Sequence, residues 1–275
     1  MVIDGRKIAA EIVAKLKQKP VPQKYLAVFL VGSDPSSVGF IKQKEKLAKE
    51  LGVDFRLYKY NESTTQDELR KEIHKIGDGK PCGGIIVQLP LPGSADPQYV
   101  LNAMPREKDI DVLGERALGA FYAGRNIIYP PSVEVVKEIV EIENCKIENC
   151  TVAVVGLGKL VGKPVQTWLT GRSKEISLID EGGNFDVLKN ADIVVCGTGV
   201  PGLIKPEMLK ENALVIDFGY GLSSGKPSGD FDADELKIKN VKLKISYTPT
   251  PGGTGPILVA KIFENFYSLT KEKTR

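Results

Sequence analysis

Apolar and polar positions follow two alternating periods along the first third of the chain. Residues 25–31 form an unbroken apolar run closed by Gly32, the pattern of a strand buried on both faces. Asp34-Pro35-Ser36-Ser37 then offers a capping side chain and an early proline, which predicts a helix running to about Leu51-Gly52. Val53, Phe55 and Leu57 alternate as a strand does, and Thr65-Gln66-Asp67-Glu68 fits a capping box opening a second helix. Residues 84–89 are another apolar strand. The order β-α-β-α-β predicts a parallel sheet with crossover helices.

A second series starts near Thr151. Residues 152–155 read as a buried strand, 156–162 as a glycine-rich turn and 164–169 as the helix after it, with further strands at 176–179, 193–195 and 214–216. The stretch 106–150 holds a loop and a helix at 132–142, and a last helix at 257–269 follows a Pro/Gly-rich loop. The expected class is α/β with two lobes. An N-terminal α/β substrate domain covers 1–125, with the C-terminal helix 257–275 a candidate to pack back on it. A Rossmann-like parallel-sheet dinucleotide-binding domain covers 126–256.

Composition narrows the function more than the fold. The 275 residues are 42% hydrophobic and 27% charged, enough to bury a proper core. The net charge of +3 comes from 38 basic and 35 acidic residues scattered along the chain, not the clustered basic face a nucleic-acid binder needs. The lysine-rich tail (Lys271, Lys273, Arg275) reads as a solvated end. No apolar run reaches the roughly 18 residues of a membrane span, and Met1-Val2-Ile3-Asp4-Gly5 lacks the pattern of a signal peptide. Cys82, Cys145, Cys150 and Cys196 show neither CxxC pairing nor metal-ligand spacing, so reduced thiols, a cytoplasmic location and no metal are expected. The single histidine, His74, lies in a Lys/Glu-rich helical stretch and reads as a surface residue. Acid–base chemistry therefore falls to Lys, Asp, Glu or Tyr.

Two patterns carry candidate chemistry. Gly156-Leu157-Gly158-Lys159-Leu160-Val161-Gly162 lies between a predicted strand and helix, where glycines let a pyrophosphate approach the helix N-terminus. The spacing is GxGxxxG, and Asp180, closing the next strand about 20 residues on, suits a ribose 2′-OH. The second pattern is a helix face. Ser37, Phe40, Ile41, Lys44, Leu47, Ala48 and Leu51 share one side, with Lys42, Glu45, Lys46 and Lys49 opposite, so Lys44 interrupts an apolar stripe. Two readings stand: a lysine withdrawn from water with a lowered pKa, or one that snorkels to the surface. Gln88 ends an apolar strand where ligand clefts of parallel sheets open. Lys108-Asp109-Ile110-Asp111 sets two acids in a loop, and 248–256, rich in proline and glycine, is a plausible ligand-contacting loop.

In order along the chain, Ile3-Asp4-Gly5-Arg6, Val31-Gly32-Ser33-Asp34-Pro35-Ser36-Ser37, Gln88-Leu89-Pro90-Leu91, Lys108-Asp109-Ile110-Asp111, Val161-Gly162-Lys163-Pro164 and Pro251-Gly252-Gly253-Thr254-Gly255-Pro256 resemble the methylenetetrahydrofolate dehydrogenase/methenyltetrahydrofolate cyclohydrolase family. The resemblance implies that 5,10-methylenetetrahydrofolate is oxidised with NAD(P)+ and the methenyl product hydrolysed to 10-formyltetrahydrofolate, in a cleft between the lobes. It implies Lys44 as the central catalytic group, Gln88 adjusting its protonation and Asp111 holding the pteridine. Ser37, Phe40, Pro251, Gly252 and Gly253 are then substrate-binding. The cofactor-binding set is Gly156, Leu157, Gly158, Lys159, Gly162, Asp180, Glu181 and Tyr220. A homodimer is also implied. The chain departs from the family at Phe40, usually tyrosine, at Asp111-Val112-Leu113, usually Asp-Gly-Phe, at Ile128-Tyr129-Pro130-Pro131, usually Pro-Cys-Thr-Pro, and at Gly156-Leu157-Gly158, usually Gly-Arg-Ser. The missing arginine and Asp180-Glu181 point to NAD, the family to NADP; Lys159, Arg172 and Lys174 are candidate substitutes for that arginine. A monofunctional member, or a non-catalytic dinucleotide-binding protein on the same fold, is the alternative.

Overall fold

A computed structural model describes residues 1–93, 95–238 and 244–271. The end of the 257–275 segment drawn from the sequence, with the tail residues Lys273 and Arg275, lies outside these. Along the chain run α1 (Gly5–Lys17), β1 (Tyr25–Val31), α2 (Pro35–Leu51), β2 (Phe55–Tyr60), α3 (Gln66–Asp78), β3 (Cys82–Val87), α4 (Pro97–Leu101), α5 (Glu115–Tyr122) and α6 (Pro131–Ile142). There follow β4 (Thr151–Val155), α7 (Gly162–Leu169), β5 (Glu175–Ile179), β6 (Ile193–Cys196), β7 (Leu214–Asp217), β8 (Gly221–Ser223), β9 (Lys226–Ser228), α8 (Ala233–Ile238), β10 (Ser246–Tyr247) and α9 (Thr254–Thr270). Two compact units result: Glu11–Pro131 with the chain from Val259 onward, and Met1–Ala10 with Ser132–Leu258. The divisions fall inside α1 and α9, and Met1–Ala10 groups with Ser132–Leu258. The reason is a set of backbone bonds. Val2 bridges Tyr247 in parallel, Ile3 N–H donates to Tyr247 O at 2.8 Å, and Tyr247 N–H donates to Met1 O at 2.9 Å.

The first unit is built on a parallel three-stranded sheet in the order β2-β1-β3. Every residue of β1 and β3 is buried, as their unbroken apolar runs require. Phe29 of β1 stacks on Tyr58 and Tyr60 of β2, with ring centroids 5.3 and 6.0 Å away. The Thr65/Glu68 capping box opens α3 in both directions. At the other end of the sheet, a Cβ at Gly84 would lie 2.8 Å from Phe266 and 2.9 Å from Ile110. Only glycine leaves room there for α9 and the 109–111 segment to press onto β3.

The second unit has five parallel strands in the order β10-β7-β6-β4-β5. Counted within this sheet the order is 2-1-3-4-5, which reverses between β4 and β6, the place where such sheets open a crevice for a ligand. Asp217, ending β7, is 1% exposed. Its carboxylate accepts from Gly219 N–H at 2.6 Å and Phe231 N–H at 2.9 Å, and its carbonyl accepts from the Thr254 hydroxyl at 2.7 Å. One residue thus ties the β8–β9 hairpin and the start of α9 to the sheet. Beside it lie the equally buried Cys196 and Asp230, the latter accepting from Thr198 N–H at 2.6 Å.

Burial, with the Asp230 charge adding to it and backbone N–H donors opposing it, pushes Asp217 up to about 6. A carboxyl whose folded pKa lies above its unfolded value binds a proton that the unfolded chain has already released. Its contribution is therefore present at low pH and lost as pH rises from about 4 to about 6, at about 1.4 kcal/mol per pH unit. Denaturant melts across that range are expected to show this slope. Asp217→Asn lowers stability at every pH and removes that part of the slope.

Candidate active site

Helix α2 begins where Asp34 accepts from Ser37 N–H at 2.7 Å and ends at Gly52, which adopts φ 71°. Its buried face is Ser37, Ile41, Lys44, Ala48 and Leu51. Lys42, Glu45, Lys46 and Lys49 are exposed, as the pattern required. Lys44 does not snorkel: it is 6% exposed, and its Nζ donates to Gln88 Oε1 at 3.0 Å. The Gln88 amide is oriented from its other end, where Nε2 donates to Leu89 O at 2.8 Å. That leaves the oxygen to face the lysine. Gln88 lies one residue beyond β3, and its own N–H still donates to Phe29 O at 2.9 Å.

Burial lowers the Lys44 pKa, and the Asp111 charge acts against it. Asp111 shows the mirror image, raised by burial and pulled back by Lys44. Each group thus limits the other's loss of charge. Among the described residues the Asp111 carboxylate makes no hydrogen bond, so its acceptor oxygens remain for a ligand. Ser37 is buried on the same helix face, with its hydroxyl 3.5 Å from Leu89 O, and Phe40 is half-buried one turn before Lys44.

Asp111 leaves the backbone at an unusual turn. Asp109, 1% exposed, accepts on Oδ2 from Leu113 N–H at 2.9 Å and Gly114 N–H at 2.7 Å, while Oδ1 has no partner. Burial, with the neighbouring Asp111 charge adding to it, pushes Asp109 up to about 7. Val112, inside this turn, adopts φ 57°, a left-handed conformation that costs an L-residue roughly 1–2 kcal/mol. The departure from Asp-Gly-Phe noted in the sequence therefore falls on a backbone position suited to glycine.

The dinucleotide candidates belong to the second unit. The turn leaves β4 at Gly156, whose N–H donates to Ile179 O at 2.8 Å. A Cβ at Gly162 would lie 2.0 Å from Gly156 O, so the turn and the first residue of α7 meet without room for a side chain. No side chain caps α7. An open cradle at a helix N-terminus beside the strand-order reversal fits a pyrophosphate. Leu157 is half-buried, and Gly158 and Lys159 are exposed on the turn. Asp180 and Glu181 are exposed immediately after β5. Tyr220 is exposed between β7 and β8. In the same unit Gly253 N–H donates to Pro249 O at 2.7 Å, which closes the Pro251-Gly252-Gly253 turn.

The structure thus brings Lys44, Gln88, Asp111 and Ser37 together in the first unit, with Phe40 one turn away on the same helix. Pro251, Gly252, Gly253 and all the cofactor candidates lie in the second. His74 is exposed and paired with Asp78 at 2.9 Å, and the four cysteines are free. Asn265 of α9 escaped the sequence reading. It is 4% exposed, and its Nδ2 donates to Ile110 O at 3.0 Å and Tyr129 O at 2.9 Å. An asparagine on the buried face of an apolar helix was the one signal available for it.

Residues 3–111 match the tetrahydrofolate dehydrogenase/cyclohydrolase catalytic domain, and residues 130–274 match the tetrahydrofolate dehydrogenase/cyclohydrolase NAD(P)-binding domain. The chain is 34% identical over 272 residues to the bifunctional protein FolD of Macrococcus caseolyticus, covering 96% of this chain and 95% of that one. It superposes on the FolD methylenetetrahydrofolate dehydrogenase/cyclohydrolase of Campylobacter jejuni with a TM-score of 0.91 at 29% identity, covering 98% of each chain. It also superposes on the Trypanosoma brucei enzyme, complexed with NADP and an inhibitor, with a TM-score of 0.89 at 27% identity, covering 98% and 97%. Built on a buried lysine in one unit and a dinucleotide cradle in the other, the chain belongs to the tetrahydrofolate dehydrogenase/cyclohydrolase family.

Proposed function

We propose that the chain oxidises 5,10-methylenetetrahydrofolate to the 5,10-methenyl form with a nicotinamide dinucleotide and hydrolyses that product to 10-formyltetrahydrofolate. The observation that carries this reading is the buried Lys44–Gln88 pair, with Lys44 within the field of an Asp111 carboxylate that makes no hydrogen bond among the described residues. When bound, the nicotinamide supplies the acceptor for the hydride leaving the methylene carbon. Gly156, Leu157, Gly158, Lys159 and Gly162 would hold the pyrophosphate, with Asp180, Glu181 and Tyr220 at the rest of the dinucleotide. In the hydrolysis, water attacks the methenyl carbon, and opening of the ring requires a proton at the departing nitrogen. A lysine whose ammonium is destabilised by burial gives up and regains a proton more readily than an exposed one. Gln88 Oε1 accepts from Lys44 Nζ in either protonation state and so holds the amine in place through the cycle. Asp111 accepts from the pteridine amino and ring N–H groups, Phe40 packs against the substrate's aromatic ring, and Ser37, Pro251, Gly252 and Gly253 complete the substrate contacts.

For the dinucleotide we infer a preference for NAD. Asp180 and Glu181 are exposed directly after β5, and a 2′-phosphate bound beside them would meet like charge. Of the cations considered as substitutes for the absent turn arginine, Arg172 already donates Nη1 to Trp168 O at 2.6 Å. Among the described residues no helix is long and apolar enough to cross a membrane. The resemblance further supports a homodimer in the cytoplasm, which light scattering on the purified protein checks for the oligomer.

Lys44→Met is expected to slow the cofactor-free decay of methenyltetrahydrofolate by roughly 100-fold or more, while the dinucleotide Kd is unchanged. Full hydrolysis by this variant removes the lysine from the mechanism. Asp111→Ala is expected to raise the folate KM by roughly 10- to 100-fold, the worth of hydrogen bonds to a charged group. Side-by-side kinetics should give a kcat/KM with NAD at least roughly tenfold above that with NADP, about 1.4 kcal/mol, and Asp180→Ser should narrow the ratio. Equal values would sink the cofactor assignment.

A further inference from the structure

Asp111 sits in a turn between the short 3-10 helix Arg106–Lys108 and α5, so no regular element holds its backbone. The turn also contains Val112 in a left-handed conformation, which a free loop would abandon. Something must over-determine it, and two side chains do. On one side the Asp109 carboxylate closes a ring by accepting from Leu113 and Gly114 N–H. On the other side Asn265 Nδ2 reaches from α9, 155 residues away, to the carbonyl of Ile110 at 3.0 Å. That carbonyl lies in the planar peptide unit that ends at the Asp111 Cα. Fixing its direction fixes the plane from which the Asp111 side chain departs. The same Nδ2 donates to Tyr129 O at 2.9 Å, so both of its N–H groups are committed.

The placement of α9 serves the same end. Glycine at position 84 lets Phe266 and Ile110 settle side by side on β3, and the backbone of Asp109 forms a parallel bridge with Ile85. The strand that delivers Gln88 is thereby the strand against which the Asp111 turn is registered.

We propose that Asn265, acting with the buried Asp109 carboxylate, is a positioning residue that aims Asp111 at the folate substrate. The proposal rests on the functional reading above. Its chemistry is specific. Aspartate at 265 cannot donate, and leucine keeps the branched four-atom shape, though bulkier, with no polar atom, so both substitutions leave the buried Ile110 carbonyl and the part-buried Tyr129 carbonyl without their donor.

The test is steady-state kinetics on the full-length chain, with melting temperature and dinucleotide Kd measured alongside. Asn265→Leu is expected to raise the KM for methylenetetrahydrofolate at least tenfold, with kcat within threefold and the dinucleotide Kd unchanged. In an Asp111→Ala background the same substitution should change KM less than twofold, because it acts through Asp111. Asn265→Ser, smaller and retaining one donor, should give an intermediate KM and carries the test if the leucine variant does not fold. A lowered melting temperature with an unmoved KM overturns the proposal and leaves Asn265 a structural residue. So does an equal rise in KM with and without Asp111. The unaltered chain is assayed first. Absence of both activities overturns the functional reading and this inference with it, whereas normal activity with an unmoved KM in the variants overturns the role of Asn265 alone.

Discussion

An ammonium group removed from water loses most of its hydration, and it persists only if other groups replace what water supplied. Lys44 is in this position: it lies on the buried face of α2, and desolvation alone would drive it toward the neutral amine. Gln88 offers an oxygen at 3.0 Å and Asp111 a negative charge. Neither is enough to restore an ordinary surface lysine, and the balance between burial and partners leaves its pKa below the usual lysine value. The first unit is arranged around that balance. The apolar stripe of α2 buries the lysine, the end of β3 supplies the amide, and the turn after residue 108 supplies the carboxylate.

The second unit rests on a comparable economy of polar groups. Its sheet order reverses beside the turn leaving β4, where sheets of this kind bind ligands, and the glycines of that turn give the backbone close approach to the start of α7. Asp217 then spends its side chain on the backbone N–H groups of Gly219 and Phe231 and its carbonyl on Thr254. A buried carboxylate bound in this way fixes loops that have no regular structure of their own. Asp109 does the same in the other unit, with Leu113 and Gly114 as its donors.

What the sequence made legible follows from the range of each interaction. The α2 stripe, the capping box at Thr65, the apolar runs of β1, β3 and β4 and the glycine turn are local patterns, and each could be read directly. Whether Lys44 snorkelled could not, since that depends on what covers the helix. The left-handed backbone at Val112 is hidden for a related reason: valine gives no local cue to a positive φ, and only the hydrogen bonds closing the turn impose it. Asn265 meets partners 155 and 136 residues away, a separation without any periodic signature. The assignment of Met1–Ala10 is likewise invisible locally, being made by backbone pairing with Tyr247.

The two units differ in what a substitution at their candidate sites would cost. In the catalytic half Lys44 and Asp109 are buried, and a change at either leaves a partner unsatisfied inside the protein, a cost of about 1–3 kcal/mol for each hydrogen-bonding group. The residues proposed for cofactor choice are different in kind. Gly158, Lys159, Asp180 and Glu181 are exposed, and surface substitutions usually change stability by no more than about 0.5 kcal/mol. A fold can therefore trade one nicotinamide for the other at little structural cost, whereas it can alter the lysine site only by rebuilding it. The Gly-Leu-Gly turn is the kind of difference such freedom allows. The Val112 turn is the opposite case: a strained residue kept in a buried loop, where the surrounding hydrogen bonds offset its cost.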